Sequence, residues 1–144
     1  HALLLEDLLD TWLDPLREME HDGDPLDEIT GYVIRKLEMA RDFPRESRLF
    51  ANEILQGAPR ILDQISGPLK DLVDSKAAII RAWSAEGRIA DIDPYHLIFS
   101  IWATTQHYAD FDVQVSVVLG DKADTRFEAA SQYLTTLFTK VLRP

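Results

Sequence analysis

Every stretch between the prolines and glycines of this chain repeats apolar residues three and four apart, and none alternates apolar and polar residues as a half-buried strand would. That periodicity leaves an all-α fold. Leu4, Leu5, Leu8, Leu9, Trp12, Leu13 and Leu16 make the first stripe, one face of an amphipathic helix. Pro15 falls inside it, where its missing N–H predicts a kink. No capping residue precedes His1, so the chain reads as cut from something longer.

The punctuation sets the remaining elements. His21-Asp-Gly-Asp24 is a break, and Asp24-Pro25 pairs a capping side chain with the residue best suited to the first helical position. Ile29, Tyr32, Val33, Leu37 and Ala40 form the next buried stripe, and Phe43-Pro44 ends it and starts another through Leu49, Phe50, Glu53 and Ile54. Gly57-Ala-Pro59 closes that helix, and a short turn around Ile61 and Leu62 precedes Gly67-Pro68. From Pro68 the stripe is Leu69, Leu72, Val73, Lys76, Ile79, Ile80 and Trp83, with Gly87 placed to terminate it in a left-handed conformation. Asp93-Pro94 repeats the capping signature and opens a long helix to about Leu119. Gly120 breaks it, and Phe127, Ala130, Leu134, Leu137, Phe138 and Val141 line the last helix. The expectation is six principal helices, one short extra turn, and a single domain over residues 1–144.

A chain of 144 residues with 46% apolar content can bury a self-sufficient core. The absence of cysteine excludes disulfides, zinc-thiolate sites and thiol catalysis, and fits a cytoplasmic setting. The net charge of −10 decides a further question. A nucleic-acid binder neutralises phosphates with a basic stripe, whereas the longest basic clusters here are pairs such as Arg35-Lys36. This domain does not hold DNA by itself.

Catalytic and metal patterns are nearly absent. There is no phosphate-cradling glycine loop, nucleophile elbow or HExxH. Glu18 and His21 make one Glu-x-x-His, but di-metal bundles need two such pairs and further glutamates. His96 and His107 stand roughly 16 Å apart along one helix, too far to share an ion. No enzyme activity, metal or cofactor is expected.

The segment Trp102-Ala-Thr-Thr-Gln-His-Tyr-Ala-Asp110 is unusual, because it lies in the middle of a helix otherwise rich in Ile, Phe and Val. Trp102, Gln106 and Asp110 are four apart and share a face. Polar groups on a buried helix must find partners. An indole and an amide together suit a small planar ligand by stacking and in-plane hydrogen bonds. The alternative is that Gln106, His107 and Tyr108 bond to neighbouring helices or cross a subunit interface. Asp110 reads as a surface or interhelix partner rather than a ligand contact, since a buried carboxylate needs a cation nearby. Trp12 and Trp83 lie on apolar stripes and read first as core, and Asn52 and Glu53 as polar bridges. The last two helices, 94–119 and 121–142, are apolar over more than one face. Such helices are either central or buried against a partner, and a four-helix homodimer contact follows.

The residues also match a known family. Trp12-Leu-Asp-Pro-Leu16, Lys36-Leu-Glu38, Arg41-Asp-Phe-Pro44, Ser47-Arg-Leu-Phe50, Gly57-Ala-Pro59, Ile92-Asp-Pro94, His96-Leu-Ile-Phe99 and above all Ile101–Phe111 resemble the C-terminal domain of TetR-family repressors of the type that regulates pyrimidine utilisation. The resemblance covers nearly the full length and weakens after Phe111. It implies a TetR-type helical bundle, a helix-turn-helix segment ahead of it, and dimerisation through the last two helices. It also implies a pyrimidine effector, uracil or thymine, whose binding releases operator DNA. Trp12, Trp102, Gln106 and Tyr108 are then placed near the pocket. Asn52 stands where the family pattern has a larger apolar residue, and joins them as a candidate ligand contact. The competing function is a helical dimerisation module that senses nothing.

Overall fold

A computed structural model of the chain describes residues 2–144, with side chains from Leu5 onward. Its helices are α1 (Ala2–Arg17), α2 (Pro25–Asp42), α3 (Pro44–Leu55), α4 (Leu62–Gln64), α5 (Lys70–Ala85), α6 (Pro94–Asp110), α7 (Asp112–Leu119) and α8 (Arg126–Leu142). A π-helical segment, Ile65–Leu69, joins α4 to α5, and a 3₁₀ segment, Gly120–Thr125, joins α7 to α8. Six of these helices have twelve or more residues, and no strand occurs among the described residues. The fold is the all-α bundle that the periodicity requires.

Local chemistry sets the helix ends as expected. The Asp24 carboxylate accepts from Asp27 N at 3.1 Å, and Asp93 accepts from His96 N at 3.0 Å, each just ahead of a proline at the first helical position. Such caps contribute about 1 kcal/mol each. Gly87 takes φ +73°, Gly87 N–H bonds Ser84 O, and Arg88 N–H bonds Trp83 O. This paired arrangement uses carbonyls that would otherwise be unpaired at the end of α5.

Two boundaries differ from the periodicity reading. The helix expected to run unbroken to Leu119 stops at Asp110 and resumes at Asp112, because Phe111 leaves the helical basin at φ −120°, ψ 30°. Phe111 N–H still bonds His107 O and Val115 N–H bonds Phe111 O, so the axis is bent without the chain being released. The expected break at Gly67-Pro68 is instead bridged. Proline has no N–H to give to an α-helical ladder, and the wider π turn carries the chain through it into α5.

The core surrounds α2, which packs against α1, α3, α6 and α8. Leu16, Ile29, Val33, Ile80, Trp83, Ile98, Ile101 and Leu134 are buried in one continuous cluster, each contributing roughly 1.5–3 kcal/mol by leaving water. A smaller cluster of Leu5, Ala58 and Ile61, with Phe50 and Ile65, holds the front half of α1 against the α3–α4 link. At its other end α1 is tied to α5. Lys76 Nζ donates to Arg17 O at 2.8 Å and Met19 O at 2.6 Å, and Trp83 Nε1 donates to His21 O at 3.0 Å. Lys76 therefore lies on the buried stripe only by its stem, with its ammonium on carbonyls at the end of α1.

Candidate functional site

The site is built from the facing sides of four helices. On α2, Tyr32 and Lys36 lie one turn apart on the apolar stripe, and both are buried. On α6, Trp102, Gln106 and Asp110 repeat every fourth residue. Trp12 comes from α1 and Ser47 from the first turn of α3. The Trp102 indole Nε1 donates to the Tyr32 hydroxyl at 2.7 Å, locking α6 to α2. Burial holds the Tyr32 phenol well above its ordinary range, so it stays neutral. Ser47, fully buried, donates to Asp110 Oδ1 at 2.6 Å, and Arg48 Nη1 donates to Ala109 O at 3.1 Å. These two bonds fasten α3 to the end of α6.

Two polar groups stand out. Lys36 is only 2% exposed, and its ammonium sits over the Trp12 ring at 4.8 Å from the centroid. It forms no ion pair among the described residues. Burial lowers it to about 7, opposed by the negative field of Asp110. Trp12 is 7% exposed, and its indole N–H is buried without an acceptor among the described residues. A buried donor left unpaired costs about 1–3 kcal/mol, so the folded chain carries that cost at this position.

The other side of the α6 stripe is open. Phe99, Trp102, Ala103, Gln106, His107, Asp110 and Phe111 line a groove of about 500 Å³. Trp102 and Gln106 thus lie together on this groove, with the Trp102 N–H turned inward to Tyr32. Trp12 lies inside, beside Lys36. Tyr108 points toward α8, its ring 6.3 Å from that of Phe127. Asn52 is exposed on α3, while its neighbour Glu53 is buried and accepts Arg60 N–H at 2.6 Å. Glu53 is thus the satisfied polar bridge that its place on α3 suggests. Trp83 is core, and of the surface and interhelix roles open to Asp110 its bond from Ser47 selects the interhelix one. Of the histidines, His21 contacts Glu86 at 3.1 Å, and His107 stacks on Phe111 at 5.1 Å. No group of three or more metal-ligating side chains is present among the described residues.

Lys36 is the residue that periodicity alone passed over. The signal was present: a lysine at the register of Ile29, Val33 and Ala40, inside an otherwise apolar stripe. A lysine there must snorkel or be held for a purpose.

Residues 5–144 match the family model described as the C-terminal region of YcdC-like proteins, a TetR-type C-terminal domain. The chain belongs to that family. It is 51% identical over 120 residues to the HTH-type transcriptional regulator RutR of Escherichia coli O157:H7, of Escherichia coli K12 and of Shigella flexneri. The aligned part is 83% of this chain and 57% of each relative, so the chain spans little more than half the length of these regulators. No described helix is long and apolar enough to cross a membrane.

Proposed function

We propose that this chain is the effector-sensing and dimerising part of a cytoplasmic TetR-type repressor, and that a small planar heterocycle, uracil or thymine, is the effector. The ligand enters at the α6 groove, where Trp102 offers an aromatic face and Gln106 an amide, and reaches inward between α1, α2 and α6 to the buried Trp12 and Lys36 by displacing the packing there. One observation carries this reading: among the described residues, the Trp12 indole N–H is buried with no acceptor, beside a buried ammonium with no ion pair. A core that served packing alone would gain stability by replacing both with hydrocarbon.

The mechanism is a population shift. A ligand moves an equilibrium only if it binds one state better than the other. Trp12 belongs to α1, whose front half leans on the small Leu5 cluster and whose far end is tied to α5. A ligand bridging Trp12 to α2 and α6 fixes the angle of α1. That angle is the part of this domain able to act on a helix-turn-helix segment ahead of it, and so on operator DNA. The dimer forms through α6, α7 and α8. Val113, Val117 and Val118 are 80%, 76% and 79% exposed, and Tyr133 is 65% exposed. Such a run of uncovered apolar side chains suits a second copy of the chain.

A titration tests the sensing claim. Saturating uracil or thymine at about 100 times its dissociation constant raises stability by roughly 2.7 kcal/mol, which a thermal-shift measurement detects. Gln106→Leu keeps fold and dimer but loses this shift. Calorimetry that finds unchanged pyrimidine binding in Gln106→Leu removes Gln106 from the site. The bond between Trp102 and Tyr32 favours a second reading, in which the polar segment only joins helices. An unshifted wild-type protein across a nucleobase panel establishes that reading instead.

A further inference from the structure

We propose that Lys36 is the specificity residue of the effector site: its ammonium leaves the Trp12 ring face to hydrogen-bond an oxygen of the ligand, and binding thereby draws a proton onto the protein. This rests on the reading above that a small heterocycle enters between α1, α2 and α6.

The surroundings of Lys36 lead there. From α1 its ammonium meets the Trp12 ring. From α6 it feels the field of Asp110, and one oxygen of that carboxylate is already taken by the Ser47 hydroxyl of α3. Arg48, also on α3, is engaged with Ala109 O. Between α2 and α8 the charged residues Glu38, Arg41, Arg126 and Glu128 line a separate surface groove. The lysine is therefore buried with an aromatic face and a shared carboxylate, and with no ion pair among the described residues.

The donor inventory fixes the ligand class. A lysine ammonium and an indole N–H can only donate. A ligand placed against them must present acceptors, such as carbonyl or carboxylate oxygens or unprotonated ring nitrogens, and the carbonyls of a pyrimidine supply them. A ring whose edges there carry only N–H groups, or a cationic amine, is rejected. Because burial brings Lys36 to about 7 in the free protein, it is largely neutral at slightly alkaline pH. An oxygen acceptor favours the charged form and raises it. Proton uptake on binding then grows toward about one as pH rises above 7, and vanishes near pH 6, where the lysine is already charged.

The experiment is calorimetry of uracil binding to the intact chain between pH 6 and 8.5, in buffers of different ionisation enthalpy. Expected is an affinity roughly tenfold weaker at pH 8.5 than at pH 7. A buffer-dependent enthalpy should accompany it and disappear in Lys36→Met. Binding that is independent of pH, with no proton uptake, overturns the proposal and leaves the sensing function standing. Unchanged uptake in Lys36→Met also overturns it. Absence of uracil binding at every pH instead removes the underlying reading. Should Lys36→Met fail to fold, the ε-carbon resonance of Lys36 in the wild-type chain serves. It must titrate near neutrality when free and beyond pH 8.5 with uracil bound. Equal midpoints with and without uracil refute the assignment.

Discussion

Two buried tryptophans provide a matched comparison at the scale of single residues. Trp83 Nε1 has an acceptor in His21 O, while Trp12 Nε1 has none among the described residues. Truncation to phenylalanine removes similar volume from each. Trp83→Phe also loses a satisfied bond and strands a carbonyl, so it should cost about 1 kcal/mol more than Trp12→Phe. Urea denaturation of the two variants measures this, and equal losses would mean that Trp12 is satisfied in solution. Lys36 gives a second residue-level prediction. Its folded value lies below its ordinary one, so between about 7 and 10.5 the unfolded chain holds a proton there that the folded chain does not. Stability from this group therefore rises with pH across that window. Lys36→Met should remove that rise and raise stability at pH 6, read from denaturation at several pH values. His21 acts with the opposite sign. Hydrogen bonds to Glu86 and Asp22 raise it above 6.5, so its contribution is present below that value and is lost as pH climbs through the raised one. His21→Gln isolates that part.

Among the elements, the ends governed by local chemistry were legible in the sequence. Asp24-Pro25, Asp93-Pro94 and Gly87 behave as their side chains and φ angles require. Asp93→Ala should cost about 1 kcal/mol, checked by thermal unfolding, because it unpairs the His96 amide at the start of α6. The two misread boundaries have a common cause. Nothing local to Phe111 forbids helix, and nothing local to Pro68 demands its continuation. Tertiary packing sets both, bending the chain after Asp110, where Ser47 and Arg48 hold the end of α6, and carrying it through a π turn whose Ile65 packs against the cluster that holds Leu5 of α1. The site was legible in part for the same reason. The composition of Trp102–Asp110 marked α6 as unusual. That Lys36 faces Trp12 is a contact between helices, and no spacing within α2 encodes it.

On the scale of the whole molecule, the interior and the outer face make separate demands. The core around α2 needs no partner, whereas α7 leaves Val113, Val117 and Val118 in water. If the proposed dimer forms through this face, Val117→Asp should convert it to a monomer with helix content unchanged, followed by sedimentation equilibrium and circular dichroism. A dimer that survives it places the interface elsewhere. In the proposed sensor, the Trp12 N–H, without an acceptor among the described residues, is the donor that a ligand oxygen would satisfy. The chain has three tryptophans, so a proton–nitrogen correlation spectrum shows three indole signals, and Trp12→Phe identifies the one that matters. With saturating uracil the Trp12 indole signal should move downfield as it gains an acceptor, while that of Trp83, already bonded, stays in place. A Trp12 signal unmoved under conditions where uracil is bound would contradict the account.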